Sequence, residues 1–167
     1  GLGNWSGHLA FACDLVASLR PRLLVELGTH RGESYFGFCR LVAETGRPCA
    51  CYAVDTWLGD PHSLTSGEQV DEYVQRCTSE RCGTSSYLLR TPFDNALEWF
   101  SEESIDLLHI GGLQTCEDVK YAFDAWYPKV APGGIVLLHD VAAPHPGAGI
   151  WRFCEEISRP HDSFEFH

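Results

Sequence analysis

Two short stretches hold side chains that could do chemistry in company. "VELGTHRGES", residues 25–34, carries Glu26, Gly28, Gly32 and Ser34. Glycines let a backbone approach a ligand closely, and a helix starting behind them offers unpaired N–H groups. Glu26 works against a pyrophosphate and suits a cationic or hydroxyl-bearing ligand. The spacing is G-x-x-x-G, not the G-x-G-x-x-G of dinucleotide binders. "YAVDTW", residues 52–57, supplies Asp55 and Trp57. An acidic side chain after a second strand accepts hydrogen bonds from both ribose hydroxyls, or it caps a turn. Trp57 either stacks on a flat ring or is a plain core or lid aromatic. Glu26, the glycines and Asp55 together point to a nucleoside site.

A third stretch is notable for what it omits. "IDLLHIGGLQT", residues 105–115, runs from an apolar segment into Gly111 and Gly112, with no side chain where ligand-binding groups are expected. His109, inside the apolar run, reads as a satisfied core histidine. Asp60 and His62 in the loop "GDPHS" either face a substrate or are solvated.

These residues need elements to hold them, and the pattern supplies strands and helices in alternation. Ser6 caps a first helix through Leu19, with Leu9, Cys13, Val16 and Ala17 on one stripe, and Pro21 ends it. Strands are expected at 23–27, 49–54, 86–90, 106–110 and 135–139. Helices are expected at 33–45, 67–81, 93–100, 115–130 and 149–157, with a turn at Pro132–Gly134. "SFEFH", 163–167, starts a sixth strand. Strands apolar on both faces, joined through helices, make an α/β fold: a doubly wound, mostly parallel, Rossmann-like sheet with helices on both faces. The C-terminal antiparallel edge is expected to be truncated, leaving Phe164 and Phe166 to pair with a neighbour or a second copy.

The chain has 167 residues, enough for a single domain over 1–167. A net charge of −11 repels phosphate backbones, which excludes nucleic acid as the expected partner and favours a neutral or cationic small molecule. No apolar run reaches membrane-spanning length. Eight cysteines without a C-x-x-C pair read as small buried apolar residues of a reducing cytoplasm rather than a zinc site. A chain without methionine that begins at Gly1 reads as a processed or excised piece.

"LLVELGTHRGESYFGFC", "YAVDTWLGD", "IDLLHIGGLQT" and "GGIVLLHD" resemble the class I S-adenosylmethionine-dependent methyltransferases. The nearest branch is the bacterial group of cephalosporin-hydroxylase-like and sugar O-methyltransferases, often joined to glycosyltransferases. The first turn also resembles the E-x-G-T-x-x-G-x-S turn of catechol-type O-methyltransferases. The resemblance implies that Glu26, Gly28 and Gly32, with Thr29 and Ser34, line the methionine part of S-adenosylmethionine. It implies that Asp55 holds the ribose, with Trp57 and the segment Thr91–Phe93 near the adenine. Metal-dependent members place an Asp after strand four and an acidic residue after strand five on a divalent cation. Here those positions are Gly111 and Asp140, and Gln114 stands where relatives carry His. The resemblance therefore implies no metal in this chain, with His139 and Asp140 left as catalytic candidates. A His–Asp pair at a strand end also serves as plain hydrogen-bonded structure.

The expected activity is methyl transfer to an oxygen of a small molecule or sugar. The competing expectations are a metal-free binding or assembly module without turnover, and a nicotinamide enzyme, which the glycine spacing and Glu26 disfavour.

Overall fold

The computed structural model describes residues 7–58, 67–82, 85–113, 115–139, 153, 156–157 and 161–162. In chain order the elements are α1 (Leu9–Leu19), β1 (Leu23–Leu27), α2 (Glu33–Glu44), β2 (Ala50–Asp55), α3 (Gly67–Arg81), β3 (Ser86–Arg90), α4 (Phe93–Ala96), β4 (Ile105–Ile110), α5 (Cys116–Trp126) and β5 (Val130–Leu138). The strands form one sheet in the order β3-β2-β1-β4-β5, and every pairing is parallel. Strand order reverses between β1 and β4, which opens a crevice beyond their carboxyl ends.

Two apolar layers cover the sheet. Leu24, Cys51, Ala53 and Leu107 pack with Ala12 and Val16 of α1, Phe38 and Val42 of α2, and Val70 and Val74 of α3. Val25, Leu27, Val54, Leu108 and Ile110 pack on the other face with Ala96 of α4 and Val119, Phe123 and Trp126 of α5. Successive strand residues therefore bury in opposite layers, which explains the unbroken apolar runs. Tyr35 is fully buried in the first layer, and its hydroxyl joins β2 to β3. Its hydroxyl donates to Cys51 O at 2.9 Å and accepts from Tyr87 N at 3.2 Å.

Three expectations need correction. The α1 stripe runs through Ala12 and Val16, while Cys13 and Ala17 are exposed. Val130 does not end a helix: α5 stops at Trp126, a 3-10 turn covers Tyr127–Lys129, and Val130 begins β5. The Pro132–Gly134 segment is no separate turn but an irregularity inside β5. Ile105 pairs with Val130 while Leu107 pairs with Ile135, so the extra residues bulge, with Gly133 at φ 79°. Ser6, Asp60, His62, Gln114, Asp140 and the 163–167 segment lie outside the described residues.

Candidate functional site

The carboxyl ends of β1 and β4 meet backbone to backbone. Gly28 N donates to Val54 O at 3.0 Å, and Gly111 N donates to Leu27 O at 2.9 Å, so each turn hangs from a neighbouring strand. Gly28 has φ 79°, and a Cβ on it would lie 2.1 Å from Gly111 O. Gly112 has φ 74°, and its Cβ would lie 3.0 Å from Gly28 O. Both conformations favour glycine; Gly28 also has no room for a Cβ, and at Gly112 one would be tight. Gly111 is under neither constraint. Its φ is outside the left-handed region, and a Cβ there would make ordinary contacts, 3.5 Å to His109 Cε1 and 3.7 Å to Leu27 O.

Asp55 fastens the other wall. Its Oδ2 accepts from His30 N at 2.8 Å, and its Oδ1 accepts from Trp57 N at 2.9 Å. His30 and Trp57 are both non-glycine residues in left-handed conformation, with φ 47° and 45°. The Trp57 indole N–H donates to His30 O at 3.0 Å, closing a triangle of three bonds. Asp55 thus performs the turn-capping role and keeps free lone pairs, since a carboxylate has about four acceptor sites. Trp57 is 2% exposed and packs with the core on the α1–α3 face. Phe93, half-buried, opens α4 just beyond Thr91, whose N–H donates to Asp55 O at 3.0 Å.

Beneath the β1 turn lies a polar pair in an apolar layer. Glu26 and His109 are lateral neighbours in the β1–β4 register. His109 Nδ1 stands 2.7 Å from Glu26 Oε2, and the two residues are 0% and 3% exposed. A carboxylate oxygen accepts, so Nδ1–H donates. Glu26 Oε1 is buried without a hydrogen-bond partner among the described residues, and so is Thr29 Oγ1 three residues on. Thr78 Oγ1 and Trp126 Nε1 share that state elsewhere among the described residues, but Glu26 and Thr29 are the two that flank one glycine, Gly28, with a polar group lacking a partner. Gly32 and Ser34 stand at the start of α2. Gly32, at φ 80°, is its N-cap, with no side-chain cap, and its N–H donates to Thr29 O at 2.8 Å.

The His109 ring extends this pair toward β5. It lies edge-on to Phe38 at 5.8 Å and to His139 at 6.2 Å between ring centres, and His139 in turn lies edge-on to His8 at 6.1 Å. His139 hangs from β4 by its N–H, 3.3 Å from Ile110 O. The structure therefore joins a sequence-expected catalytic residue, His139, to a sequence-expected binding residue, Glu26, through His109. His109 is buried and hydrogen-bonded, as expected of a core histidine. Its partner was findable, because Glu26 and His109 each stand two residues before the first glycine ending their strands.

The cysteines are buried at 39, 49, 51, 77 and 82, with Cys49 Sγ 3.9 Å from Cys51 Sγ. Hydrogen bonds to Cys51, with burial, hold the Cys39 and Cys49 thiols above their ordinary range. Among the described residues no group of three or more His, Cys, Asp or Glu is arranged to hold a metal ion. No described helix is long and apolar enough to cross a membrane.

Residues 25–141 match the family described as "Methyltransferase domain". The chain is 41% identical over 162 residues to an uncharacterized protein, y4gI, of Sinorhizobium fredii; the match takes 97% of this chain and 18% of that protein. Among solved structures it is similar to the SAH-bound Podospora anserina methyltransferase PaMTH1, with TM-score 0.62, 14% identity, and coverage of 80% and 52% of the two chains. It is similar also to the O-methyltransferase TomG of Streptomyces achromogenes, involved in tomaymycin synthesis and complexed with SAM. There the TM-score is 0.68 with 16% identity, covering 96% of this chain and 72% of the other. At these identities the likeness to solved structures shows the fold.

Proposed function

The chain belongs to the methyltransferase-domain family, and from that premise we propose that it is an S-adenosylmethionine-dependent O-methyltransferase domain acting on a small molecule or sugar. The observation that carries the reading is the buried Glu26 carboxylate with one open oxygen, set under a glycine turn inside the matched region.

The residues present fit the cofactor. Glu26 Oε1 offers an acceptor for its ammonium end, and Thr29 Oγ1 offers a polar contact beside it. Gly28 lets the β1 turn close against Gly111, Gly32 lets α2 start over the Phe36 ring, and the α2 N-terminus, Ser34 included, stands at the same turn. Asp55 has acceptor capacity left for ribose hydroxyls, and Phe93, half-buried at the start of α4, is the candidate for the adenine side; Trp57, buried in the core rather than free to stack on a ring, supports the Asp55 turn from behind. When bound, S-adenosylmethionine supplies an electrophilic methyl group on a sulfonium sulfur.

The protein's own contribution is then alignment of an oxygen nucleophile and removal of its proton. His139, just after β5 and in ring contact with His109, is the candidate for taking the proton, with Asp140 as its expected companion. The net charge of −11 fits a neutral or cationic acceptor and works against nucleic acid. A single catalytic domain in the cytoplasm, able to self-associate through its C-terminal edge and independent of metal, completes the proposal. A binding or assembly module without turnover is the reading the relatives do not favour.

Calorimetry with S-adenosylmethionine, S-adenosylhomocysteine and NAD, each with and without magnesium, tests it. Binding of the first two and not NAD, unaltered by magnesium, is expected. Methyl transfer from labelled cofactor to sugar and phenolic acceptors tests turnover. Binding of NAD alone would overturn the reading.

A further inference from the structure

Glu26 is held in a way that a core ion pair does not need. A buried carboxylate is costly unless its lone pairs are satisfied. Here one oxygen is satisfied at 2.7 Å by an imidazole that is itself packed edge-on against Phe38 and His139. The other oxygen is left open at the same burial. The two residues sit side by side in a parallel ladder, so the backbone fixes their Cα positions, and the ring contacts restrict the imidazole. The carboxylate is thereby clamped by one oxygen, while the other is enclosed and unpaired among the described residues.

We propose that His109 is a positioning residue for the amino-acid end of the cofactor, holding Glu26 by Oε2 so that Oε1 meets a cationic N–H donor. This rests on the reading of the domain as a nucleoside-sulfonium binder and adds to it the residue that selects for the ammonium group. Without the clamp, Glu26 would turn its free oxygen toward whatever donor lay nearest. With it, a ligand bearing the ammonium gains a charge-assisted bond that a ligand lacking it does not.

The test compares two ligands and two polar substitutions of the same residue. The ligands are S-adenosylhomocysteine, which carries the ammonium, and 5′-methylthioadenosine, which keeps the nucleoside and thioether but lacks the amino-acid end. His109→Asn places an amide N–H near the position of Nδ1, and His109→Gln places it near Nε2 instead. Calorimetry on wild type and both variants, each confirmed folded by its thermal transition, gives the affinities. His109→Asn is expected to bind S-adenosylhomocysteine within about threefold of wild type, and His109→Gln to lose roughly tenfold or more. Methylthioadenosine affinity should stay unchanged in both. Equal loss for both ligands in His109→Gln would make His109 a packing residue and overturn the proposal. So would unchanged S-adenosylhomocysteine binding in His109→Gln. If either variant fails to fold, Glu26→Gln, which removes the charge and keeps the shape, must still lose S-adenosylhomocysteine selectively, and failure to do so overturns the clamp. Wild type binding neither ligand would sink the cofactor reading and this inference together; wild type binding both with equal affinity would sink this inference alone.

Discussion

The two sides of the crevice are built to different tolerances. On the β1–β2 side every backbone group that departs from ordinary conformation is fastened. His30 and Trp57 sit at positive φ, and Asp55 ties both while the Trp57 indole ties His30 again. Gly28 presses against the turn after β4 with no room for a single added carbon. On the β4–β5 side, Gly111 has both room and an ordinary conformation. The difference separates two meanings of glycine. At Gly28 a Cβ has no room and the conformation is left-handed, at Gly112 the conformation is left-handed and a Cβ would be tight, and at Gly111 neither conformation nor a Cβ stands in the way of alanine.

Substitutions can break that contrast or sharpen it. The largest effect is expected from Gly28→Ala, whose Cβ would meet Gly111 O at 2.1 Å in a left-handed conformation. It should cost about 3 kcal/mol or more, or prevent folding, as read by urea unfolding. A cost under about 1 kcal/mol would show that the two turns are not pinned together. Next comes Asp55→Ala, which strands the N–H groups of His30 and Trp57. A loss of about 2 kcal/mol in stability is expected, with S-adenosylmethionine affinity down roughly tenfold or more. Asp55→Asn should recover most of the stability, since an amide oxygen still accepts, but only part of the affinity. Trp57→Phe removes one hydrogen bond and keeps an aromatic ring, so about 1 kcal/mol is expected. Gly111→Ala should be the mildest, within about 1 kcal/mol of wild type by the same unfolding assay. Parity between Gly111→Ala and Gly28→Ala would erase the distinction drawn between the glycines. Because Gly111 is not left-handed, Gly111→Asp with Gln114→His should fold and gain divalent-cation binding, measurable by manganese titration.

Much of the fold was legible because each strand is a short apolar run ended by glycine or an acid. β1, α3 and β3 fall where the pattern puts them. β5 starts earlier than the pattern puts it because Pro132, Gly133 and Gly134 carry strong turn signals, yet this strand, outermost among the described residues, accommodates them by bulging. The α1 stripe failed at Cys13 and Ala17 because a single-face pattern in so apolar a helix admits more than one rotation. Glu26 and Gly28 stand at the end of β1 and Asp55 at the end of β2, close to where the pattern puts them. What Asp55 and Trp57 do to each other was not legible, because loop conformation at positive φ leaves no mark in non-glycine residue types.

Glu26 and His109 lie 83 residues apart in the chain. No local segment can form that contact early, since the loop-closure entropy must be overcome before the pairing returns anything. A nascent chain that has emerged only through β3 holds the glycine turn and Asp55 but has no partner for the Glu26 carboxylate. Ligand competence should therefore arrive abruptly, when β4 docks beside β1, rather than accumulate as the chain lengthens. Before that moment the same carboxylate opposes burial of β1, so the order of synthesis itself delays closure of the central strand until its histidine is in reach.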